Sequence, residues 1–315
     1  MLMTKQTSIQ TCSELLGQFE TRGPITEGVR LQFEGVGNKD VYNISGVFVD
    51  REEEIIAGRV EGRDTEFSQV VFFKKDGEVW IPHPDYAPFA LQDPFITRIG
   101  GELIFGGVKL VEDCDNPGKI VSWVTQFYRG KDIASLKLFL AGPNHMKDVR
   151  LVELASSEIG VLTRPQGEKG GRGKIGFFKV ESLEDITAEK IAAAPVFEDQ
   201  FSEEEWGGAN EPRLLSNGLV GVLGHIASFE DDDRHYYAMT FAIHPDTMEK
   251  TPMKIIATRS SFPEGPAKRP DLRDVIFSGG IVRKPGGYAE LYVGASDAEA
   301  YVIEIEDPFL EYEQI

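Results

Sequence analysis

The chain of 315 residues is long enough for two ordinary domains or for one large all-β domain, and its 41% apolar and 10% aromatic residues supply a sizeable core. Its 52 acidic residues outnumber 33 basic ones and give a net charge of −19, so nucleic acid and anionic membranes are expected to be poor partners. No run approaches the roughly 18 apolar residues of a membrane helix, and the two cysteines, Cys12 and Cys114, together with the lack of a secretion signal, predict a reducing, cytoplasmic location.

The predicted regular structure consists mostly of short β-strands between turns rich in Gly, Pro and Asp. A short helix is predicted over residues 13–20, and residues 182–194 are expected to hold one or two helical turns. Apolar or alternating runs, such as residues 71–81, 101–110 and 289–296, have the length and the residue types of strands. The pattern therefore predicts an all-β fold.

One hairpin pattern recurs five times along the chain. Each copy has a polar start, an apolar strand, a turn, and a second apolar strand that ends on a polar side chain. The copies start at Asn43, Asp93, Asp148, Glu211 (with Asn210 before it) and Ser278. An internal repeat of this length, made only of strands and turns, is typical of a fold built from similar units.

Five such units, each with one face that it cannot bury alone, predict a single domain of residues 1–315 folded as a five-bladed β-propeller. Residues 1–40 are then an N-terminal extension that completes a blade. A β-sandwich whose hairpins are similar by accident is the alternative. In a propeller the first strand of every blade lines the central channel, so the five polar starts are expected to meet at one end of that channel.

The second strands of the units end on side chains that are mostly cationic. Three of these residues follow the first three starts by sixteen positions, and the other two close the shorter fourth unit and the longer fifth unit. They are Arg59, Lys109, Arg164, His225 and Asp297. A strongly acidic protein that gathers cations around one funnel is expected to bind an anion there, such as a phosphate beside a sugar.

The balance of carboxyl groups and cations bears on the reaction. Hydrolysis of a glycosidic bond normally needs two carboxyl groups, whereas inorganic phosphate is already ionised and needs an acid and cations that hold it. One aspartate, Asp93, among several cations therefore indicates phosphorolysis rather than hydrolysis. An inverting hydrolase remains the alternative, with Asp148, Glu211 or Asp297 as its second carboxylate.

Five short motifs lie in order along residues 40–305. They are Asn43 with Arg59, Gln92-Asp93-Pro94-Phe95, Lys147-Asp148-Val149 with Thr163-Arg164-Pro165, Leu223-Gly224-His225, and Phe277-Ser278-Gly279-Gly280 with Gly294-Ala295-Ser296-Asp297. Together they resemble the motifs of the β-mannoside phosphorylases of glycoside hydrolase family 130, which are five-bladed β-propellers. The sequence departs from that family's pattern at Phe95, where the hallmark has Arg, and over residues 206–210, where the family usually has a phosphate-binding Lys.

The resemblance implies a mechanism and roles for individual residues. It implies that Asp93 donates a proton through a hydroxyl of the reacting sugar while phosphate attacks the opposite face of the anomeric carbon and inverts it. The implied sugar-binding residues are Asn43, Arg59, Asp148 and Asp297, and the implied phosphate-binding residues are Lys147, Arg164, His225 and Tyr236. The predicted protein is a phosphorylase or mannosyltransferase that acts on β-linked mannosides of an oligosaccharide and needs no metal or cofactor.

Several alternatives stay open at this point. The co-substrate is inorganic phosphate or a sugar nucleotide, with water in the case of a hydrolase, and a non-catalytic sugar-binding propeller is a further alternative. Residues 167–174, which are Gly-rich and basic, predict a mobile hairpin loop that covers the sugar pocket, and His83 and His145 are expected near the channel mouth. Residues 230–233 are expected to be a solvated hairpin tip rather than a metal site, and both cysteines to be inert. Propellers of this kind occur as monomers or as homodimers that pair through their edges.

Overall fold

The computed structural model describes residues 9–22 and 26–315 of the chain. Its regular structure is almost entirely β, which confirms the predicted all-β class. Two short helices, α1 (Cys12–Glu20) and α2 (Ala188–Ala193), lie in the two segments where helical structure was predicted. No helix in the described residues is long and apolar enough to cross a bilayer.

Twenty-one strands occur in the described residues, most of them in antiparallel hairpins. In chain order they are β1 (Val29–Arg30), β2 (Gln32–Phe33), β3 (Asp40–Tyr42), β4 (Phe48–Asp50), β5 (Glu53–Glu61), β6 (Ser68–Asp76), β7 (Val79–Pro82), β8 (Gln92–Ile99), β9 (Glu102–Glu112), β10 (Ile120–Gly130), β11 (Lys137–Ala141), β12 (Arg150–Glu153), β13 (Ile159–Thr163), β14 (Gly176–Val180), β15 (Trp206–Leu214), β16 (Val220–Glu230), β17 (Asp233–Ile243), β18 (Lys254–Ala257), β19 (Asp274–Lys284), β20 (Tyr288–Ala295) and β21 (Glu299–Glu306).

The strands form four hydrogen-bonded sheets in the described part of the chain. The first has the order β2-β7-β6-β5-β3, with β4 also paired to β5, the second has the order β8-β9-β10-β11, and the third contains β12, β13 and β14. The fourth sheet consists of two antiparallel groups, β15 to β18 and β19 to β21 with β1, which a short parallel pairing of β17 with β19 joins. The chain therefore forms five consecutive, mainly antiparallel groups of strands.

In the described residues, the hydrophobic core consists of five clusters that lie between these groups. Four clusters join groups that follow one another in the chain, as where Phe72 of the first group contacts Phe105 of the second with ring centroids 5.1 Å apart. The fifth cluster joins Trp80 of the first group to Tyr292 and Ala300 of the last. Each group therefore buries apolar surface against two neighbours, and the last group is a neighbour of the first.

Residues 29–33 connect the two ends of this arrangement. β1 pairs with β21 through Val29↔Val302 and Arg30↔Tyr301, and β2 pairs with β7 of the first sheet. The segment thus adds one strand to the last group and one to the first. Residues 1–8 and 23–25 of the predicted N-terminal extension lie outside the described residues.

Irregular backbone marks the polar starts of the repeat. Asn43, Asp93 and Asp148 have φ angles of 44°, 48° and 58°, in the left-handed region that Asn and Asp enter more readily than most other residues. At Asp93 the strand is also bulged, because the register shifts between Gln92 and Phe95. Bulges re-aim side chains, so Asp93 leaves the normal alternation of its strand.

The fourth and fifth groups start earlier than the sequence predicted. β15 begins at Trp206, before the predicted start at Glu211, and its register shifts between Ala209 and Glu211. β19 begins at Asp274, before the predicted start at Ser278. The polar residue at the bulge of the fourth group is therefore Asn210.

Candidate active site

One cavity of about 290 Å³ is lined by residues from all five groups of strands and the segments next to them. The residue predicted to donate a proton and those predicted to bind sugar line it: Asp93, Asn43, Arg59, Asp148 and Asp297. The residues predicted to hold phosphate line the same cavity: Lys147, Arg164, His225 and Tyr236. The fold therefore brings together residues that are spread over most of the sequence.

Asp93 is buried at the wall of this cavity. Its Oδ1 accepts hydrogen bonds from Asn43 Nδ2 at 2.8 Å and from Arg59 Nη1 at 3.1 Å. Burial favours the neutral carboxyl group, but the positive charges of Arg59 and Lys147 and the hydrogen bond from Asn43 outweigh it and hold the pKa of Asp93 below its usual value. Asp93 is therefore ionised in the free protein, and because both bonds go to Oδ1, Oδ2 is left for a ligand.

Arg59 is held from its other side by Glu61, whose side chain is completely buried. Arg59 Nε and Nη2 donate to Glu61 Oε2 at 2.9 and 2.6 Å, and the Tyr42 hydroxyl donates to Glu61 Oε1 at 2.6 Å. Lys268, from the segment between β18 and β19, forms an ion pair with the same Oε1. Sequence analysis missed Glu61 and Lys268. The signal for Glu61 was its place two residues after Arg59, which puts both side chains on one face of β5.

A second carboxyl group in the cavity, Asp297, differs from Asp93 in its ionisation. Burial raises the pKa of Asp297 above its usual value, and the nearby charge of Asp93 adds to this, although Arg59 and Lys268 oppose it. Asp297 therefore takes up a proton more readily than Asp93 does.

Asp148 and Arg164 form a buried ion pair at another part of the wall. Arg164 Nη1 lies 3.4 Å from Asp148 Oδ2, and Arg150 Nη2 lies 3.6 Å from Asp148 Oδ1. Burial disfavours the charge of Asp148, but the two guanidinium groups outweigh it and lower its pKa. Although both are buried, Asp148 Oδ1 and Arg164 Nη1 make no hydrogen bond with the described residues. Buried polar atoms normally have such partners, so these two are available to a ligand.

His225 presents a neutral imidazole ring to the same cavity. Burial lowers the pKa of His225 to about 3, although the charge of Asp148 opposes the shift. Its Nδ1 lies 2.9 Å from the side-chain oxygen of Asn210. Because an amide oxygen only accepts hydrogen bonds, Nδ1 carries the proton and Nε2 presents a lone pair. The ring also stacks against Tyr236, with centroids 5.4 Å apart.

The structure shows what occupies the two places where the sequence departs from the mannoside phosphorylase pattern. Phe95 is buried, and the guanidinium group of Arg150 lies 4.4 Å from the centroid of its ring. Trp206 donates from Nε1 to the Tyr236 hydroxyl at 3.0 Å. A neighbouring group of strands therefore brings a cation to Phe95, through a cation–π contact, while Trp206 holds Tyr236 in the cavity wall.

Lys109 does not line this cavity, contrary to the sixteen-residue spacing of the repeat. The strand register gives the reason, because Arg59 lies opposite Tyr42 in the first group, whereas Val108 lies opposite Gln92 in the second. Lys109 is thus one position beyond the equivalent of Arg59. Successive residues of a strand point to opposite faces, so Lys109 faces away and borders a separate cavity.

Two of the predicted polar starts also lie outside the lining of this cavity. Glu211 forms an ion pair with Arg213 and accepts a hydrogen bond from the backbone of Ile281 at 2.8 Å. Ser278 is fully buried, and its hydroxyl donates to the carbonyl oxygen of Gly224 at 2.8 Å. Glu211 is therefore removed from the candidates for a second catalytic carboxylate.

Neither His83 nor His145 reaches the cavity, contrary to expectation. His83 is buried, with Nε2 2.9 Å from a carboxylate oxygen of Glu53 and its ring stacked on Tyr86. His145 packs edge-on against Trp123, with ring centroids 4.9 Å apart. Both histidines are accounted for by packing and hydrogen bonding within the fold.

Two cations that line the cavity, Arg234 and Arg269, were missed by the sequence analysis. Both form ion pairs with Asp271, and Arg269 also pairs with Glu66 at 3.3 Å. They lie outside the repeated hairpins, one after the acidic tip at residues 230–233 and the other between β18 and β19. Repeat spacing therefore held no signal for them.

Residues 167–174 lie beside the cavity, packed on Arg164. Gly167 and Gly171 exchange backbone hydrogen bonds at 2.8 and 2.7 Å, which closes the tip of the loop. Gly173 accepts a hydrogen bond from the Gly207 amide at 3.2 Å, and a Cβ at this position would lie 2.8 Å from the guanidinium group of Arg164. A glycine is thus required there. The role of the loop as a lid stays a prediction.

The acidic residues 230–233 form a tip between β16 and β17, as predicted. No group of three or more His, Cys, Asp or Glu side chains in the described residues is placed to hold a metal ion. Burial raises the pKa of the Cys12 thiol to about 12, so it stays protonated and unreactive. Cys114 is exposed and free.

Comparisons with known proteins extend these observations. Over residues 17–311 the chain matches the family described as protein of unknown function (DUF1861). It is similar to MPT-4, a mannose phosphorylase from Leishmania mexicana solved in complex with phosphate ion, with 36% identity, a TM-score of 0.88, and coverage of 94% of this chain and 93% of that chain. It is also similar to MPT-1, a GDP-Man-dependent mannosyltransferase from Leishmania mexicana, with 34% identity, a TM-score of 0.86, and coverage of 95% of both chains. No curated protein sequence matches.

A more distant similarity concerns the fold alone. The β-1,2-mannobiose phosphorylase from Listeria innocua has 13% identity and a TM-score of 0.59, with coverage of 88% of this chain and 93% of that chain. The predicted resemblance to β-mannoside phosphorylases is confirmed by these structures. Because the match covers residues 17–311 of 315, the chain belongs to the DUF1861 family.

Proposed function

We propose that this protein is an enzyme that transfers β-linked mannosyl units with inversion, as a phosphorylase or mannosyltransferase. The observation that carries the proposal is the single cavity in which Asp93 and its hydrogen-bond donors accompany Lys147, Arg164 and His225. The similarity to MPT-4 and MPT-1, at 36% and 34% identity over nearly the whole chain, supports mannose as the transferred sugar.

The proposal includes a five-bladed β-propeller with the cavity at one end of its axis. Five consecutive groups of strands support it, as do five core clusters that join each group to its neighbours and the last group to the first. In that architecture the starts at Asn43, Asp93 and Asp148 meet at the axis. A propeller also explains why residues so far apart in sequence line one cavity.

Asp93 is proposed to supply the proton in phosphorolysis. A hydroxyl group of the bound mannose passes a proton to the glycosidic oxygen as the bond from that oxygen to the anomeric carbon breaks, and Asp93 replaces the proton on the hydroxyl. Since Asp93 is ionised in the free protein, it takes up this proton in the complex, where a sugar that excludes water favours the neutral carboxyl group. Asn43, Arg59, Asp148 and Asp297 are proposed to orient the ring.

The phosphate is proposed to bind at Lys147, Arg164, His225 and Tyr236. Lys147 has no ion-pair partner among the described residues, and Arg164 Nη1 is buried without a hydrogen bond. These cations would bind the charged phosphate oxygens, while Nε2 of the neutral His225 would accept a hydrogen bond from a P–OH group. A phosphate oxygen then attacks the anomeric carbon on the face opposite the departing sugar, which yields mannose 1-phosphate.

Two other co-substrates, a sugar nucleotide and water, are alternatives to phosphate. A sugar nucleotide is the second candidate co-substrate, because MPT-1 is a GDP-Man-dependent mannosyltransferase and because Arg234 and Arg269 add cations to the cavity wall. Hydrolysis requires a carboxylate that activates water. Of the three carboxylates predicted as candidates for it, Asp148 and Asp297 line the cavity.

The deciding experiment uses the purified full-length chain with β-1,2-mannobiose, with and without inorganic phosphate, and separately with mannose 1-phosphate or GDP-mannose plus mannose. We expect mannose 1-phosphate, in the inverted configuration by NMR, only when phosphate is present, and new mannosides in the reverse reaction. Release of free mannose without phosphate would favour the hydrolase. Sugar binding without turnover in any of these reactions would contradict an enzymatic function.

A further inference from the structure

Glu61 and Lys268 form a buried ion pair next to the cavity, although neither residue lines it. The Glu61 side chain is 0% exposed and that of Lys268 is 3% exposed. Burial of charge is costly unless partners compensate it. The partners of this pair lead directly to the residue proposed as the proton donor.

Glu61 receives bonds from three separate segments of the chain. Arg59 of β5 donates twice to Oε2, at 2.9 and 2.6 Å, Tyr42 of β3 donates to Oε1 at 2.6 Å, and Lys268 pairs with Oε1 as well. The remaining guanidinium nitrogen of Arg59, Nη1, donates to Asp93 Oδ1 at 3.1 Å. The result is a line of charges of alternating sign, from Lys268 through Glu61 and Arg59 to Asp93.

We infer that Glu61 is a positioning residue for Asp93, and that Glu61 and Lys268 together set the local charge under which Asp93 exchanges its proton. This inference rests on the proposed role of Asp93. A guanidinium group is planar, so the bonds from Nε and Nη2 to one carboxylate fix the direction of Nη1. Glu61 therefore determines where Arg59 meets Asp93.

The expected effect on the pKa of Asp93 depends on every ionisable group near Asp93 and Glu61. Asp93 is influenced by Arg59 from β5 and by Lys147 and Asp148 from the segment before β12, and it in turn influences Asp297 after β20. Glu66, which lies 3.8 Å from Arg59 Nη2 and also pairs with Lys268, is a further ionisable group at this place. None of these side chains is itself replaced in either variant, and Asp297 also responds to the charges of Glu61 and Lys268.

Replacement of Glu61 and replacement of Lys268 are expected to have different effects on the pKa of Asp93. Besides Glu61, Lys268 contacts the carbonyl oxygen of Thr65 at 2.8 Å and Glu66 at 3.0 Å, so it keeps two acceptors when Glu61 is neutralised. Loss of a negative charge lowers the pKa of a nearby carboxyl group, and loss of a positive charge raises it. Glu61→Gln and Lys268→Met are therefore expected to move the pKa of Asp93 in opposite directions.

The experiment measures kcat for phosphorolysis of β-1,2-mannobiose against pH at saturating phosphate. In the pH profile of kcat, activity falls on the alkaline limb as Asp93 loses its proton. This limb is expected to move to lower pH in Glu61→Gln and to higher pH in Lys268→Met, each by about 0.5 pH unit or more. Both variants are expected to lower kcat while the KM for phosphate stays within about twofold, because phosphate is held by other residues.

Glu299→Gln is the matched control. Glu299 is a buried glutamate that, like Glu61, accepts from a tyrosine hydroxyl (Tyr301, at 2.6 Å) and pairs with an arginine (Arg30, at 2.9 Å). Unlike Arg59, however, Arg30 makes no bond to Asp93 in the described structure. The pH profile of Glu299→Gln is expected to match that of the wild type. Thermal unfolding of every variant verifies the fold.

The outcomes separate this inference from the proposed function. If the wild type transfers mannose but both variants shift the limb in the same direction or leave it in place, Glu61 and Lys268 only support the fold and the inference is wrong. If Glu61→Gln does not fold, an unshifted limb in Lys268→Met suffices to overturn it. If the wild type transfers no mannose under any condition, the proposed function itself fails.

Discussion

The cavity buries charge in two different ways on two sides. On the acid side, which we define as Asn43, Arg59, Glu61 and Asp93, every guanidinium nitrogen of Arg59 has a hydrogen-bonded carboxylate. On the anion side, defined as Lys147, Asp148, Arg164 and His225, Asp148 Oδ1 and Arg164 Nη1 are buried without a hydrogen bond in the described residues. A buried polar group without a partner costs about 1–3 kcal/mol. The charges of the acid side are thus paired within the fold, whereas the anion side keeps two buried polar atoms that are available to a ligand.

Asn43 belongs to the acid side but, like two residues of the anion side, has a buried polar atom without a hydrogen bond among the described residues. Its Nδ2 donates to Asp93, but its Oδ1 is buried without a hydrogen bond in the described part of the chain. That oxygen is available to accept a hydrogen bond from a ligand next to Asp93. On the acid side the charges are therefore paired within the fold, and the acceptors left for a ligand are Asn43 Oδ1 and Asp93 Oδ2.

The largest expected effect comes from Asp93→Asn, which removes the proposed proton donor. We expect kcat for phosphorolysis to fall by about 10²–10⁴-fold, the usual contribution of general acid catalysis. Arg59 keeps its two bonds to Glu61, so thermal unfolding and sugar binding should change little. Turnover at more than a tenth of the wild-type rate would rule out Asp93 as the acid.

Phosphate should stabilise the protein through the anion side. At a phosphate concentration 100 times Kd, linkage predicts about 2.7 kcal/mol of added stability, seen as a higher Tm. The increase should be much smaller in Arg164→Gln and unchanged in Glu61→Gln, since only Arg164 belongs to the anion side. An equal increase in all three proteins would place the phosphate elsewhere.

A single cation of the anion side has a smaller predicted effect. Lys147→Met should raise the KM for phosphate by about 10-fold or more, because a hydrogen bond to a charged group contributes about 1.5–3 kcal/mol. Lys109→Met is the control, since Lys109 borders a separate cavity. Equal effects of the two substitutions would mean that Lys147 acts only through the net charge of the protein.

The smallest predicted effect is a pH dependence of stability caused by His225. The folded ring has a pKa of about 3, whereas an unfolded histidine binds a proton below about pH 6.5. Below that pH the unfolded state binds more protons, so this residue makes the protein less stable as pH falls from 6.5 towards 3. As the pH falls from 6.5 to 5.5, the free energy of unfolding of the wild type should decrease by about 1 kcal/mol more than that of His225→Gln. Denaturant unfolding at several pH values measures the difference, and parallel curves would contradict a buried neutral His225.

The repeat in the sequence predicted some residues of both sides of the cavity. Asp93, Asp148 and Asn43 were found because each starts a hairpin of the repeat, and Arg59 and Arg164 because each ends one. The same spacing placed Lys109 in the site, and this was wrong because the bulge at Asp93 changes the strand register by one residue. A spacing in sequence does not reveal a bulge, and one residue is enough to exchange the two faces of a strand.

The sequence by itself determined the all-β class, the repeated hairpins and those cavity residues that start or end a hairpin, because these depend on local patterns of apolar and polar residues. Only the tertiary structure decided how those residues are held. Lys268 meets Glu61 across 207 positions of sequence, and Arg150 covers Phe95 from a neighbouring group of strands. Such contacts depend on how the groups pack around one another, and residues that meet only through packing leave no periodic signal in the chain.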